Sequence, residues 1–508
     1  MVTAAQNLSD IITAVHPIHA DYAKTWLMYL TCYEGGRSIR EFLKKHERED
    51  NVSYTRRRDR SYYYNYCAMV IDMMSAFLYR ADIKRDPKWE GGVPQDVIDG
   101  IYNDADQDGN SLNQFMWSVD RYVRVFGYMG ILVDMPRGEV RNELERRQQG
   151  IRPYLTEIDP VAMRAWSFDE KGSLRWIRYV EDLGDEWDAM QKRSPDQTVY
   201  YRTWTRDMWY LHKVVFRRES IRTSAGRTPT KDEFAMKPRS AEEVGRGPNP
   251  LGEVPVVLVR HVKSKRTNAP WGLSYIRDIA RINLGIMAWS SLIDEEAYNR
   301  CLNILTMPRQ PGGDSDEIKL SHYNILEYDP QAVHPPAYLT APGEPMAALE
   351  EHIGRAVDQI YRIAGLGGLA GYERVRQVQS GIAWSYEFNE TNQMLASDAN
   401  DLEDAEKKVH RLIGMWMSSN GRDKKFTGEI DYPEQFGVEN LLDDLALLQE
   451  FKEGMRSDTA KREMEKKVAM KFLSKSPDDI RAKVEHEIDT EEDVPPQTGF
   501  GFGGGFGG

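Results

Sequence analysis

Cysteine is scarce in this chain of 508 residues: Cys32, Cys67 and Cys301 are the only three. Widely spaced and odd in number, they offer neither a disulfide framework nor a CxxC metal pair, and they imply a reducing cytoplasm. Long apolar runs are missing as well. No stretch approaches the length that crosses a bilayer, and MVTAAQNLSDIITAVHP lacks the basic start and long apolar core of a signal peptide. A soluble subunit without a membrane partner is therefore expected. An excess of positive charge is absent too. Lys and Arg number 67 against 80 Asp and Glu, a net charge of -13, which argues against nucleic acid wrapped around the whole surface. Finally, the common catalytic strings are not there. The chain has no GxxxxGK[ST] phosphate loop, no HExxH and no GxSxG.

What is present is bulk and helical patterning. At this length, with 41% hydrophobic residues, the chain can fill several cores, and about three domains are expected. Residues 1–94 read as helical, with YAKTWLMYLTCYEGG and YYYNYCAMVIDMMSAFLYR as amphipathic stretches. Between them lies a basic run, Arg56 to Arg60, which could meet a phosphate but fits a solvated or subunit-pairing face better. The adjacent Tyr62, Tyr63, Tyr64 and Tyr66 favour packing against a neighbour. Residues 95–270 read as mixed α/β: SLNQFMWSVDRYVRVFGYMG is a helix, ILVDMP a short strand, and Tyr154 to Phe216 alternate as strands do. Residues 221–250 break that alternation as a polar excursion before the strand VPVVLVRHV.

The segment from 271 to 420 is the most telling. A helix is expected over 271–300, capped by the Ser274 hydroxyl and carrying Ile276, Ile279, Ala280, Leu284, Met287, Ala288 and Leu292 on one stripe. In 301–343 short apolar runs (CLNILTM, YNILEY, AYLT) alternate with proline-rich turns, the pattern of a small β module. Glu344 and Pro345 open a return helix over 344–364 with Leu349, Ile353, Val357, Ile360 and Ile363 as its stripe. The glycine-rich 365–380 reads as a hinge or loop, and 381–420 as one long helix striped by Leu402, Ala405, Val409, Leu412, Ile413 and Trp416. Beyond it, KKFTGEIDYPEQF suggests a strand, 421–484 otherwise reads as helices, and 485–508 is an acidic run ending in a flexible Gly/Phe tail.

Three motifs imitate chemistry. Asp104, Asp106, Asp108 and Gly109 resemble the opening of a calcium loop, yet Phe115 stands where the bidentate glutamate belongs, so an Asp-rich turn capping a helix at Ser111 is the better account. GLGGLA, from Gly365 to Ala370, has dinucleotide-fingerprint spacing. It follows a helix, however, whereas a dinucleotide loop must leave a strand. His16 and His19 lack partners for a metal set, and His212, His261 and His410 read as packing or surface residues rather than bases. No catalytic residue, cofactor or metal is assigned.

In order and texture, WGLSYIRDIARINLGIMAW, QSGIAWSYEFNETNQMLASDANDLEDAEKK and FMWSVDRYVRVFGYMGILVDMP resemble the portal proteins of tailed bacteriophages, and the likeness extends over most of the chain. The resemblance implies an α+β, predominantly helical portal-like fold. In it 1–94 and 95–270 form the wing, 271–300 and 344–364 the stem helices, 301–343 the clip, 365–380 the tunnel loop, 381–420 a helix towards the crown, and 421–484 a crown-like region. It further implies a ring of twelve subunits at one capsid vertex of the virion, assembled in the host cytoplasm, passing double-stranded DNA in packaging and ejection. Terminase large subunit, tail adaptor and major capsid or scaffolding protein are the implied partners. Gly367, Gly368, Tyr372, Arg374 and Arg376 are then candidates to face DNA, with pairing of the arginines to acids on an adjacent subunit as the competing account. Asp314, Asp316, Glu317 and Lys319 are candidates to face terminase or adaptor, or else a merely solvated loop. An acidic tunnel repels phosphate and lets a duplex slide, although acidity also serves plain solubility. Two other classes remain open: a metal-dependent nuclease with a diffuse carboxylate site, and a helical scaffold or adaptor.

Overall fold

The computed structural model describes residues 4–136, 143–181, 196–220, 234–262, 272–300, 305–307, 325–327, 344–366, 381–418, 424–433, 461–466, 469 and 478–490. The chain forms two compact units, Met1–Phe436 and Gly437–Gly508. With 50% helix and 23% strand, and with its larger sheets antiparallel, the fold is α+β.

The first unit opens with helices α1 (Ala4–Thr13), α2 (Pro17–Glu34), α3 (Asn51–Arg60) and α4 (Tyr66–Leu78), followed by a short strand β1 (Lys84–Asp86) and helices α5 (Gln95–Asn103) and α6 (Leu112–Phe126). Local chemistry sets the ends of α6. The Ser111 hydroxyl accepts from the Gln114 amide while the Gln114 side chain accepts from the Ser111 amide, a reciprocal capping box. At the other end Gly127 adopts φ 93, a left-handed conformation that side chains disfavour, and the chain turns directly into strand β2 (Tyr128–Asp134), buried throughout.

β2 is the centre of a three-stranded antiparallel sheet, flanked by β3 (Tyr154–Ile158), which follows the short helix α7 (Glu143–Gln148), and by β9 (Val256–Arg260). A second sheet is a five-stranded antiparallel meander of β4 (Met163–Phe168), β5 (Leu174–Glu181), β6 (Asp196–Thr205), β7 (Met208–Ser220) and β8 (Phe234–Pro248). β8 corrects the sequence reading, which took 221–250 for a polar excursion. This edge strand is mostly exposed and pairs with β7 through its backbone from Met208↔Pro248 to Ser220↔Phe234, so it needs no alternation of apolar residues and tolerates Pro238 and Pro248.

Helix α8 (Ile279–Arg300), the strands β10 (Leu305–Met307) and β11 (Ile325–Glu327), helix α9 (Glu344–Ile363) and the 36-residue helix α10 (Gly381–Trp416) follow. Regular helix begins at Ile279 rather than at Ser274, because the Ser274 hydroxyl divides its bonding between the Ile276 amide (3.2 Å) and the Val125 carbonyl (2.6 Å), holding the approach to α8 as a turn against α6. β10 and β11 pair in parallel, within the region expected to hold a small β module. Strand β12 (Glu429–Asp431) pairs antiparallel with β1, which places 424–433 with the first unit. In the second unit, 461–466 are helical and α11 (Asp478–Thr490) is a helix.

One core joins α2, α4, α6, α8, α9, α10 and the three-stranded sheet. α10 contributes Leu395, Ala399, Leu402, Ala405, Val409, Leu412 and Ile413, all at most 2% exposed and spaced by threes and fours. Each large aliphatic side chain in that row stabilises by about 1.5–3 kcal/mol relative to exposure, so α10 is held by tertiary packing from Leu395 to Ile413. No helix among the described residues is long and apolar enough to cross a membrane.

Candidate functional site

α8 and α9 run antiparallel. The Tyr275 hydroxyl, just ahead of α8, donates to the Ala364 carbonyl at the end of α9 (2.5 Å), and Trp289 meets His352 edge to face midway along the pair (4.3 Å between ring centres). The chain therefore travels out on α8 and returns on α9. At the point of return Gly365 takes φ 67, its amide bonding to the Arg362 carbonyl and the Leu366 amide to the Tyr361 carbonyl, which closes the helix end. The Thr391 hydroxyl of α10 donates to the Gly365 carbonyl (2.5 Å), and Leu366 is fully buried. Tyr275 and Thr391 thus clasp the chain at Ala364 and Gly365, just ahead of the glycine-rich segment.

Beneath the clasp lies a buried ion cluster. Arg124 of α6, 1% exposed, contacts Asp120 one turn earlier (3.1 Å) and Asp398 of α10 (2.7 Å), and Asp398 also accepts from His261 Nδ1 (2.8 Å), just after β9. Ser75 of α4 donates to Asp120 (2.5 Å). Burial alone pushes the Asp398 carboxyl up, but the Arg124 guanidinium and the His261 ring outweigh it and hold the group below the usual carboxylate range. Burial lowers Arg124 in turn, and Asp120 and Asp398 more than reverse that. The Tyr275 ring connects the cluster to the clasp, lying 5.9 Å from the Arg124 guanidinium and 5.5 Å from His261 centre to centre. Burial pushes its phenol up to about 12, so it remains a donor at any physiological pH.

A second cluster fixes the far half of α10. Arg85 of β1 forks onto Glu406 (2.6 and 3.0 Å), and the Tyr432 hydroxyl donates to the same carboxylate (2.6 Å). His410, fully buried, sits between Tyr102 (3.1 Å to its hydroxyl) and the Glu406 carbonyl (2.9 Å), and burial lowers its pKa so that the ring is neutral. These arrangements hold helices in place. None presents a nucleophile and a base to an open cleft.

The sequence-derived candidates fall as follows. Gly367, Gly368, Tyr372, Arg374 and Arg376 lie outside the described residues, as do Asp314, Asp316, Glu317 and Lys319; the structure describes the roots of the two segments that carry them. GLGGLA does leave a helix, since Gly365 follows α9. The Asp-rich turn spends its carboxylates locally. Asp104 accepts from the Gly109 amide (2.9 Å) and Arg152 (2.7 Å), and Asp106 from the Asp108 amide (3.0 Å), ahead of the capping box at Ser111. Among the described residues no group of three or more His, Cys, Asp or Glu is placed to hold a metal ion. His16 caps α2 and stacks on Trp166 (4.4 Å), and His19 bonds the Val161 carbonyl (3.2 Å).

The basic run is the exposed face expected at Arg56, Asp59 and Arg60, and departs from it at Arg57, which is buried against α8. Arg57 is 3% exposed, forked onto Glu49 (2.8 and 2.7 Å) and bonded to Ser291 of α8 (2.8 Å), while Arg60 lies over the Tyr298 ring (3.8 Å) and pairs with Glu295 (3.3 Å). The run docks α3 onto α8 within the chain. The tyrosines beside it do the same: Tyr63 bonds Asn283 (2.8 Å), and Asn283 returns a bond to the Tyr64 carbonyl (2.7 Å).

Sequence reading missed Arg124, Asp120, Asp398, Tyr275 and Thr391 as supports of the loop root. A signal existed for the first three, because each falls on the apolar register of its helix, where a charge needs a buried partner. No family model matches the chain, and no curated protein matches it.

Proposed function

We propose that this protein is a portal-like conduit subunit: a ring-forming, non-enzymatic protein through whose channel double-stranded DNA passes into and out of a capsid, with a separate motor supplying the energy. The observation that supports the reading is the antiparallel α8–α9 pair, with β10 and β11 between the helices in sequence, whose return ends at Ala364 and Gly365, the carbonyls that Tyr275 and Thr391 bond. A channel wall needs stiff helices, and a loop that touches moving DNA needs a fixed base. The long helix α10 would then be the helix that follows the tunnel loop in a portal-like subunit. Clip residues Asp314, Asp316, Glu317 and Lys319 are the proposed docking edge for terminase and tail adaptor, and Tyr372, Arg374 and Arg376 the proposed DNA-facing side chains.

The test is a packaging assay with the Gly367→Ala, Gly368→Ala double variant. Removing the conformational freedom of both glycines is expected to reduce packaged DNA at least about tenfold while leaving assembly unchanged. Normal packaging by the variant counts against the loop assignment. Magnesium-dependent DNA cleavage by the purified protein, lost on carboxylate substitution, overturns the conduit reading in favour of a nuclease.

A further inference from the structure

Several buried arginines of this chain carry their own carboxylate. Arg57 is paired with Glu49, Arg85 with Glu406 and Arg202 with Glu181, and Arg124 lies between Asp120 and Asp398. Two arginines of the five-stranded sheet have no such partner among the described residues. Arg178 of β5 meets only neutral acceptors: its Nε donates to the Thr203 hydroxyl (3.1 Å) and its Nη1 to the Ile11 and Ile12 carbonyls at the end of α1 (2.6 and 3.2 Å). Arg164 of β4 lacks even these, and its Nε is buried without a hydrogen-bond partner. A guanidinium taken from water without a counter-charge is costly, and burial draws Arg178 below its ordinary range.

Strand pairing puts the two side by side. Met163 pairs with Tyr179 and Ala165 with Arg178, so Arg164 is the extra residue of a β-bulge, where two residues of β4 oppose Arg178 and share its face. That face lies away from the main core. Met163, Tyr179 and Trp204 belong to the large cluster, whereas Tyr201 packs with Val214 and Ile12 in a small separate one. Tyr201 of β6 stands beside both arginines: its neighbour on the same face, Thr203, pairs with Arg178, and both guanidiniums pull its phenol down against the upward push of burial. His16 closes the group, its amide donating to the Arg164 carbonyl (2.8 Å). Acids are few here. The first turn of α2 carries none, and Asp159, the acid facing His19, accepts from the Ala162 amide (2.7 Å).

We propose that Arg164 and Arg178, flanked by Tyr201 and His16, form a phosphate-binding site on this face of the five-stranded sheet, where α1 ends. A phosphate group suits the pair better than a carboxylate does. Its tetrahedral oxygens can accept from two guanidiniums carried on two strands at once, whereas one carboxylate matches the fork of a single arginine. The group reaches the site as a free or monoester ion or as the backbone of nucleic acid, and the chemistry at the arginines is the same. The site stands or falls apart from the conduit reading, since it lies within one subunit and needs no ring.

The test is calorimetric titration of the full-length protein with inorganic phosphate at constant ionic strength. Saturable binding is expected, weakened at least about tenfold in Arg164→Gln, which removes a charge-assisted partner and breaks no side-chain bond within the chain. A parallel titration with a short DNA duplex identifies the source. Duplex affinity that falls in the variant assigns the phosphate to nucleic acid, and unchanged duplex affinity assigns it to a free ion or monoester. Should Arg164→Gln fail to fold, phenylglyoxal mapping of the wild-type protein decides: phosphate is expected to slow modification of Arg164 and Arg178 while the exposed Arg56 reacts as before. Heat no greater than with chloride at the same ionic strength, equal phosphate affinity in wild type and variant, or modification of Arg164 that is the same with and without phosphate overturns the site.

Discussion

Asp398 meets two basic side chains from two different elements, Arg124 on α6 and His261 after β9, and is 7% exposed. Replacing it with asparagine keeps the shape and removes the charge, leaving Arg124 buried with Asp120 as its remaining carboxylate. Loss of one partner from a buried ion cluster costs about 3–5 kcal/mol, and the urea midpoint of Asp398→Asn is expected to fall accordingly. Tyr275→Phe is milder: it leaves the Ala364 carbonyl without its donor and costs about 1–2 kcal/mol, with the larger effect on protease sensitivity within 367–380. His410 carries the pH dependence. Its folded pKa is lowered by burial, so below its ordinary value of about 6.5 the unfolded chain takes up a proton that the folded chain refuses. Stability therefore declines as pH falls from about 7 towards 5. His410→Gln is expected to flatten that decline in midpoints measured across the range, without abolishing it, because burial lowers His16, His19 and His212 in the same direction.

Between elements, the tightest point is where two backbones cross. Gly127, which ends α6 at φ 93, runs beside Gly272 on the way to α8, and a β-carbon at 127 would sit 2.5 Å from the Gly272 carbonyl oxygen. Gly127→Ala is expected to cost about 2–4 kcal/mol, from left-handed strain plus a backbone clash that no rotamer relieves, read as a lowered thermal midpoint. Elements with local punctuation were legible in advance. Glu344 and Pro345 mark the start of α9 and Gly365 its end, and the row from Leu402 to Ile413 marks α10, because capping and stripe spacing are written in adjacent residues. β8 was not legible. Its stabilisation comes from backbone bonds to β7 rather than from its own mostly exposed side chains. Nor were the partners of the ion cluster, since Asp120, His261 and Asp398 come together only through three separate elements. The burial of Arg57, alone in an otherwise exposed run, was hidden in the same way, because only the fold places Glu49 and Ser291 around it.

For the whole molecule, two buried ion clusters among the described residues hold helices together. Arg124 with Asp120 and Asp398 fixes the upstream part of α10 beside the loop root, and Arg85 with Glu406 and Tyr432 fixes its downstream half to the β1–β12 pair. Such a frame suits a subunit that must stay rigid while something passes it. Leu292 and Tyr298 on α8 and Ile363 on α9 are 39%, 49% and 45% exposed, and side-by-side assembly of stem helices in a ring would cover surface of this kind. The central claim is that the subunits close around a channel. Electron microscopy of the purified full-length protein tests it most directly: the account predicts rings with rotational symmetry and a central hole wide enough for duplex DNA, about 20 Å across or more, and a preparation of monodisperse monomers or open filaments would contradict it.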